Sequence, residues 1–290
     1  MNTRIKEINL KKPLFGKEIE IVSYDLALKN KKESEILEIL EEAYNYALAL
    51  QRIFNFFDPD SELSKLNTER KISASKELVE VTKRAIELSY KTNGKYDISL
   101  GKSILERKRG KKESSSKSLY KSIEINGNII KLKDDEMLVD LGSIAKGYIA
   151  DKVAQLLKTR GIKEFMIDAR GDILFSGEFE HVLEIQHPRD KKSSINKIKL
   201  RNKGVATSGD YNQFYGSYSN SHIINAGDLI SLTVIADTLQ EADLFSTALF
   251  VANNKEREKL IRDNKNIKAF SIDKNMRTRE YNGFGEMVVR

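Results

Sequence analysis

The chain has 290 residues, of which 40% are hydrophobic and 32% are charged, which is enough apolar sequence for a sizeable folded core. This composition excludes disordered and fibrous classes. The 50 Lys and Arg residues exceed the 43 Asp and Glu residues, an excess that suggests an anionic partner without specifying it. Cysteine is absent and histidine occurs three times, so disulfides, thiolate zinc sites and cysteine nucleophiles are excluded and a transition-metal site is disfavoured.

No stretch of the sequence approaches the roughly 18 consecutive apolar residues of a membrane helix, so we expect no transmembrane segment. Residues 1–12 also lack the apolar centre of a signal peptide. The sequence as written therefore predicts a cytoplasmic protein. A periplasmic or otherwise extracytoplasmic protein whose leader had been removed would look the same, and that alternative stays open.

The N-terminal part of the chain predicts one strand followed by helices. Residues 17–24 alternate apolar and polar side chains, which is the period of a half-buried strand. Apolar residues then recur at helical spacing over 33–57, and the Asp-Pro pair at 58–59 ends this helix. Residues 61–67 predict a short helical turn or a loop, and 75–93 predict a helix that begins at a serine cap and ends at Asn-Gly.

The middle of the chain predicts strands around one low-complexity segment. We expect a strand-rich stretch after residue 94, interrupted by an exposed, basic and serine-rich loop at 106–117. We expect this loop to be solvated, and the alternative is that its basic residues contact phosphate groups. No aromatic residue interleaves with its basic residues as in single-strand binders, so we expect no nucleic-acid partner. Asn-Gly-Asn within 123–132 predicts a β-hairpin.

The remaining elements mix helices and strands without a regular alternation. Helices are predicted at 143–159 and 238–251, and strands at 164–167, 182–186, 195–200 and 231–236. Such an order differs from that of a doubly wound parallel sheet. It predicts an α+β fold with mixed, largely antiparallel sheets flanked by helices.

Lys146 lies in the first turn of the helix predicted at 143–159. A cation there opposes the helix dipole. An anion bound at the exposed N–H groups of the helix end would reverse this argument, because a phosphate suits both the helix end and the ammonium group. A lysine that reaches out to water is the alternative, and the local sequence favours neither.

Asp243 and Thr247 lie one turn apart in the strongly apolar helix predicted at 238–251. A buried carboxylate needs a partner. Together with main-chain oxygens, the carboxylate and the hydroxyl form the hard-oxygen set that suits Mg²⁺. The alternative, which the local sequence favours, is an Asp paired with Lys or Arg and a Thr bonded to its own helix.

Two further segments offer polar groups for a ligand. Residues 204–211 combine small and hydroxylated side chains with an aromatic one, which suits close approach to a ligand. A tight turn between strands would look similar. His222 shares one face of a predicted strand with Ile224, and a structural histidine is the favoured alternative to a functional one.

These segments, in this order, resemble the ApbE-type family of FAD:protein FMN transferases, formerly described as thiamine-biosynthesis lipoproteins. The resemblance spans about residues 14–251, and the matching segments are 15–19, 58–67, 94–101, 140–151, 171–173, 186–188, 206–211, 222–224 and 242–247. No single segment identifies the family, so the resemblance rests on the order and spacing of all the segments together. The resemblance implies an ApbE-like or T-fold-like single domain over 1–290, and it leaves open a division into two lobes with FAD in the groove between them.

Known members of this family take FAD and Mg²⁺, split the pyrophosphate, and attach FMN through a phosphoester bond to a Thr or Ser of an acceptor protein, with release of AMP. The acceptor is often a subunit of a membrane redox complex. By resemblance, Asp243, Thr247 and the main-chain oxygen of Ala145 would bind Mg²⁺, and Lys146 would meet the pyrophosphate. His222 would contact FAD and deprotonate the acceptor hydroxyl. The other FAD-binding residues implied are Phe57, Ser61, Glu62, Leu63, Asp97, Gly142, Ser143, Thr207, Ser208 and Tyr211.

The chain departs from the family pattern at two motifs. Asn225-Ala226-Gly227 replaces the usual Asp-Pro-Arg, and Arg170 replaces the first glycine of Gly-Gly-Asp. We therefore expect binding of FAD and Mg²⁺ to be retained more securely than full transferase activity. An FAD pyrophosphatase, which forms FMN and AMP without an acceptor, and a non-catalytic FAD-binding protein are the alternatives.

Overall fold

The computed structural model describes residues 7–24, 31–109, 117–210, 214–215, 217–221 and 227–289. An eight-stranded sheet forms its centre, in the order β1-β2-β6-β7-β10-β13-β14-β15. Every neighbouring pair in this sheet is antiparallel. The strands are β1 (Ile8–Leu14), β2 (Lys17–Ser23), β6 (Phe165–Ala169), β7 (Asp172–Ser176), β10 (Gly204–Gly209), β13 (Leu229–Ala236), β14 (Lys268–Asp273) and β15 (Thr278–Tyr281).

Helices and three smaller sheets surround this central sheet. In the small sheets, β5 (Ile129–Leu132) pairs with both β3 (Lys71–Ser73) and β4 (Ile123–Asn126), β8 (His181–Gln186) pairs with β9 (Ser194–Leu200), and β11 (Phe214–Tyr215) pairs with β12 (Ser217–Ser221). The helices are α1 (Glu33–Phe54), α2 (Glu62–Glu69), α3 (Lys76–Lys91), α4 (Gly101–Lys108), α5 (Ala145–Thr159), α6 (Leu239–Val251) and α7 (Asn254–Asp263). In the described part of the chain, no helix combines the length and the apolar character needed to cross a bilayer.

Two apolar clusters cover opposite faces of the central sheet. The larger one includes Val234 and buried residues of α1, α5 and α6. The smaller one includes Ile235 and buried residues of the β8–β9 hairpin. Successive strand residues point to opposite faces of a sheet. Since both faces are covered here, β13 is buried along its whole length, which explains why most of its residues are apolar.

Helices α5 and α6 make a close contact that fixes their N-terminal ends. A Cβ atom at Gly147 would lie 2.4 Å from the main-chain oxygen of Leu239, so only glycine allows this approach. One turn later, the Asp151 carboxylate accepts hydrogen bonds from the N–H groups of Leu239 and Gln240, each at 2.9 Å. Asp151 therefore caps α6 from outside that helix.

The α+β prediction is confirmed, and several elements fall where the sequence places them. The helix predicted at 75–93 is α3, which begins after the Ser75 cap, and the hairpin at 123–132 is β4–β5. The helix predicted at 33–57 ends at Phe54, because the chain becomes extended at Asn55. Residues 61–67 lie almost wholly in α2, for which Ser61 Oγ accepts the N–H of Ser64 at 3.0 Å.

Other predictions were wrong. The stretch after residue 94 contains helix α4 rather than mainly strands, and α4 extends into the loop predicted at 106–117, of which 110–116 lie outside the described residues. A tight turn, which was the alternative to a ligand-binding segment at 204–211, is excluded for 204–209, because these residues form strand β10 in the centre of the sheet. Gly204 allows this because its Cα position approaches α6, where a Cβ atom would lie 2.7 Å from Leu239 Cα.

We predict that Gly147→Ala destabilises the fold. The added methyl group meets main-chain atoms that cannot rotate away, and overpacking of this kind costs about 1–3 kcal/mol. The better helix propensity of alanine recovers up to about 1 kcal/mol, so we expect a net loss of about 1–2 kcal/mol in urea unfolding. Gly227→Ala is the control, because no atom of the described residues lies within 4 Å of its added Cβ. Equal stability of the two variants would contradict the assigned contact.

Asp151 gives a second prediction, which concerns pH. Burial raises the pKa of Asp151 to about 6, although its two main-chain hydrogen bonds oppose this. The folded protein therefore holds this proton more tightly than the unfolded chain, so stability falls as pH rises from about 4 to about 6. In Asp151→Asn this contribution, on the order of 3 kcal/mol, disappears. Unfolding free energies measured from pH 4 to 7 should decline less in the variant, and parallel curves would refute the assignment.

Candidate active site

A cavity of about 670 Å³ opens between the N-terminal end of α5, the part of α6 from Asp243 onwards, the segment after α1 and two hairpin turns. Its volume lies in the range of small-molecule and cofactor sites. The residues that line it include Phe56, Phe57, Tyr96, Asp97, Gly142, Ser143, Ala145, Lys146, Arg170, Asp172, Thr207, Ser208, Asp243, Ser246 and Thr247.

A lysine shared by two carboxylates forms the floor of the cavity. Lys146 Nζ lies 2.8 Å from Asp243 Oδ1 and 3.0 Å from Asp172 Oδ2. The Asp243 side chain is only 4% exposed, and its second oxygen accepts the N–H of Gly147 at 3.2 Å. One ammonium group between two ionised carboxylates leaves this buried cluster with a net negative charge.

The pKa values follow from this arrangement. Burial raises the pKa of Asp243 to about 6, and Asp172 adds to the rise while Lys146 opposes it. Burial alone would lower the pKa of Lys146, but the two carboxylates raise it above its ordinary value. Lys146 is therefore a permanent cation at neutral pH, and the excess negative charge around it favours a further cation.

Hydroxyl groups continue the floor beside Asp243. Ser208 Oγ hydrogen-bonds with Ser246 Oγ at 2.9 Å and with Thr247 Oγ1 at 3.2 Å. Ser246 Oγ also donates to the main-chain oxygen of Asp243 at 2.9 Å. Together with Ala145 at the cavity wall, these groups form an oxygen-rich set with a net negative charge, which fits Mg²⁺ rather than a soft metal ion.

Aromatic rings and a loop build the upper wall. Phe57 is 59% exposed and packs edge-on against Phe56, with ring centroids 5.3 Å apart. Tyr96 Oη hydrogen-bonds with Ser143 Oγ at 2.9 Å, just before α5. Asp97 Oδ1 accepts the N–H and the hydroxyl of Ser99, both at 2.7 Å, so this carboxylate shapes the loop on which it lies.

Comparison with known proteins assigns the family. The model of the ApbE family matches residues 15–271. The chain belongs to the ApbE family. An FAD:protein FMN transferase of Buchnera aphidicola is 28% identical over 235 residues, which cover 70% of this chain and 69% of that protein.

Solved ApbE structures share the fold. The ApbE protein of Thermotoga maritima superposes with a TM-score of 0.83 at 20% identity, over 98% of this chain and 100% of the other. The flavin transferase ApbE of Vibrio cholerae gives a TM-score of 0.82 at 23% identity, over 97% and 99% of the two chains.

The structure brings most of the residues implied by the ApbE resemblance to this one cavity. These are Phe57, Asp97, Gly142, Ser143, Ala145, Lys146, Thr207, Ser208, Asp243 and Thr247. Ser61, Glu62 and Leu63 do not line it. Ser61 caps α2, Glu62 Oε2 accepts the N–H of Ser75 at 2.8 Å, and Leu63 is fully buried in the core. Tyr211 and His222 lie outside the described residues.

Sequence reasoning missed two charged lining residues, Asp172 and Arg170. Asp172 was part of a matching segment, and a carboxylate at the start of an apolar strand is the signal that could have identified it. Arg170, which replaces a family glycine, adopts the left-handed conformation with φ of 67°. Its Nη1 donates to the main-chain oxygen of Phe15 at 3.1 Å, and so ties the β6–β7 turn to the β1–β2 turn.

We predict that Lys146→Met destabilises the fold by about 3 kcal/mol, because it leaves two carboxylates without the cation they share. Lys203→Met is the matched control. Its partner Asp237 is 59% exposed, so the loss there should stay below about 1 kcal/mol. Urea unfolding at neutral pH with divalent cations chelated measures both values. Equal losses would show that Lys146 is not held by a buried ion pair.

Proposed function

We propose that this chain is a Mg²⁺-dependent FAD:protein FMN transferase. It would split FAD and attach FMN through a phosphoester bond to a Thr or Ser hydroxyl of an acceptor protein, with release of AMP. Membership of the ApbE family and the names of its relatives support this assignment. The observation that carries it is the partly buried cation of Lys146, set among oxygen ligands on the floor of a cofactor-sized cavity.

Lys146 and the N-terminal end of α5 supply the positive charge that a pyrophosphate needs. Gly142 and Ser143 line the cavity directly before this helix. The helix dipole and the ammonium group both favour an anion there. We assign these groups to the pyrophosphate of FAD, where they would position the reacting phosphorus and offset its charge.

Asp243, Thr247 and the main-chain oxygen of Ala145 are the proposed Mg²⁺ ligands. When bound, Mg²⁺ would neutralise the charge that grows on the departing AMP phosphate. Asp243 is suited to this role because its carboxylate is buried at a fixed position by the N–H of Gly147. Thr247 follows one turn later on α6, on the same face of the helix.

The cavity wall suits the planar flavin ring. Phe57 offers an exposed aromatic face at the rim, and Thr207 and Ser208 of β10 also line the cavity. We assign the deprotonation of the acceptor hydroxyl to His222, on the ApbE resemblance. The proposed acceptor is a protein with an accessible Ser or Thr, such as a subunit of a redox complex.

An assay of AMP release tests the assignment. Purified protein is incubated with FAD, with and without Mg²⁺ and an acceptor peptide that carries a candidate Thr, and AMP is measured by chromatography. We expect AMP only with Mg²⁺, together with flavin fluorescence bound covalently to the peptide. AMP without labelling would indicate hydrolysis of FAD to FMN and AMP. Bound FAD with no AMP under any condition would contradict catalysis.

Asp243→Asn should lower AMP release at least about 100-fold, because the amide removes the charge that holds the metal ion. Thr247→Val removes a neutral ligand and should act more weakly. Thr159→Val is the control of equal shape, because Thr159 bonds only to Gln155 of its own helix in the described structure. Full activity of Asp243→Asn would refute the proposed metal ligand.

A further inference from the structure

Asp172 is a buried carboxylate to which the proposed chemistry gives no role. It is the first residue of β7, and its side chain is 11% exposed. Its Oδ2 pairs with Lys146 Nζ at 3.0 Å, and its Oδ1 accepts the N–H of Thr207 at 3.4 Å. The sheet therefore fixes this carboxylate beside Lys146.

Asp243, by contrast, already uses both carboxylate oxygens as hydrogen-bond acceptors in the structure. Its Oδ1 accepts from Lys146 and its Oδ2 accepts from the N–H of Gly147. A divalent cation on Oδ1 would lie beside the ammonium group of Lys146, and the repulsion between the two cations favours release of Oδ1 by Lys146. An ammonium group left in a buried site without a carboxylate would cost several kcal/mol, and this cost would be subtracted from the affinity for the metal ion.

We propose that Asp172 is a positioning residue that keeps Lys146 paired and inside the site while Asp243 takes the metal ion. This inference rests on the proposed function, because it takes Asp243 as a Mg²⁺ ligand. Lys146 is within 3.0 Å of Asp172 already, so release of Asp243 needs no new partner. Lys146 Nζ also donates a hydrogen bond to the main-chain oxygen of Gly142 at 3.3 Å, which helps to keep the ammonium group in place.

The same geometry explains how Lys146 can serve the site both without and with a metal ion on Asp243. With Asp172 present, the ammonium group stays beside the cavity and available to a phosphate. With Asp172 neutralised, Asp243 becomes the only carboxylate paired with Lys146 among the described residues. Lys146 then competes directly with the metal ion for Asp243.

Calorimetric titration of MgCl₂ into the metal-free protein, without FAD, tests this inference. We expect Asp172→Asn to weaken Mg²⁺ binding at least about tenfold, the equivalent of about 1.4 kcal/mol. Asp237→Asn removes the same charge from a surface carboxylate that does not line the cavity and should bind Mg²⁺ like the wild type. Asp172→Ser is titrated in parallel, so that a folding defect of one variant does not decide the outcome.

Titration of a second set of variants, which carry Lys146→Met, separates a positioning role of Asp172 from a simple effect of its charge. In Lys146→Met there is no ammonium group to hold, so adding Asp172→Asn should weaken Mg²⁺ binding by at most about threefold, the scale of a screened charge effect. Thermal midpoints recorded without Mg²⁺ confirm that each variant is folded. An equal loss in both backgrounds would make Asp172 a direct ligand or a distant charge, and would overturn the inference.

The outcomes also separate this inference from the proposed function. Wild-type affinity in Asp172→Asn, with AMP release intact in the wild type, would overturn the positioning role alone. A wild-type protein that binds no Mg²⁺ would overturn the metal site, and the positioning role with it.

Discussion

The close approach of α5 to α6 is the constraint on which the site depends. Gly147 allows the two helices to touch main chain to main chain, and Asp151 ties the first N–H groups of α6 to α5. This contact brings Lys146, one residue before the glycine, to Asp243 on the other helix. The residue that permits the packing and the residue that carries the charge are thus neighbours in sequence, so the core and the site are built together.

The site carries a net negative charge, because two carboxylates share one lysine. Asp172 and Asp243 share one lysine in a place from which water is largely excluded, and burial raises the pKa of Asp243 to about 6. Proteins rarely bury such groups for stability, because desolvation offsets most of the attraction. The excess of negative charge would attract a further cation, and the oxygen atoms of α6 and β10 are suitable ligands for it.

The turns around the cavity show how the chain accommodates a departure from the family pattern. Arg170 takes a left-handed conformation that glycine would adopt at lower cost. Its guanidinium group bonds to Phe15 in the neighbouring turn, where Phe15 N–H in turn donates to Gln51 of α1 at 2.5 Å. The replacement therefore links two hairpin turns to α1 and leaves the floor of the cavity, with Lys146, Asp172 and Asp243, intact.

The sequence by itself determined the α+β class, most helices and the β4–β5 hairpin, because periodicity, caps and turn residues act over a few positions. The ordered segments of the resemblance also pointed to Lys146, Asp243 and Thr247. Only the tertiary structure decided that β10 is a central strand and that Lys146 and Asp243, 97 residues apart, form a pair that Asp172 shares. Pairing of strands and burial of charge depend on which distant segments meet, and no local pattern encodes that.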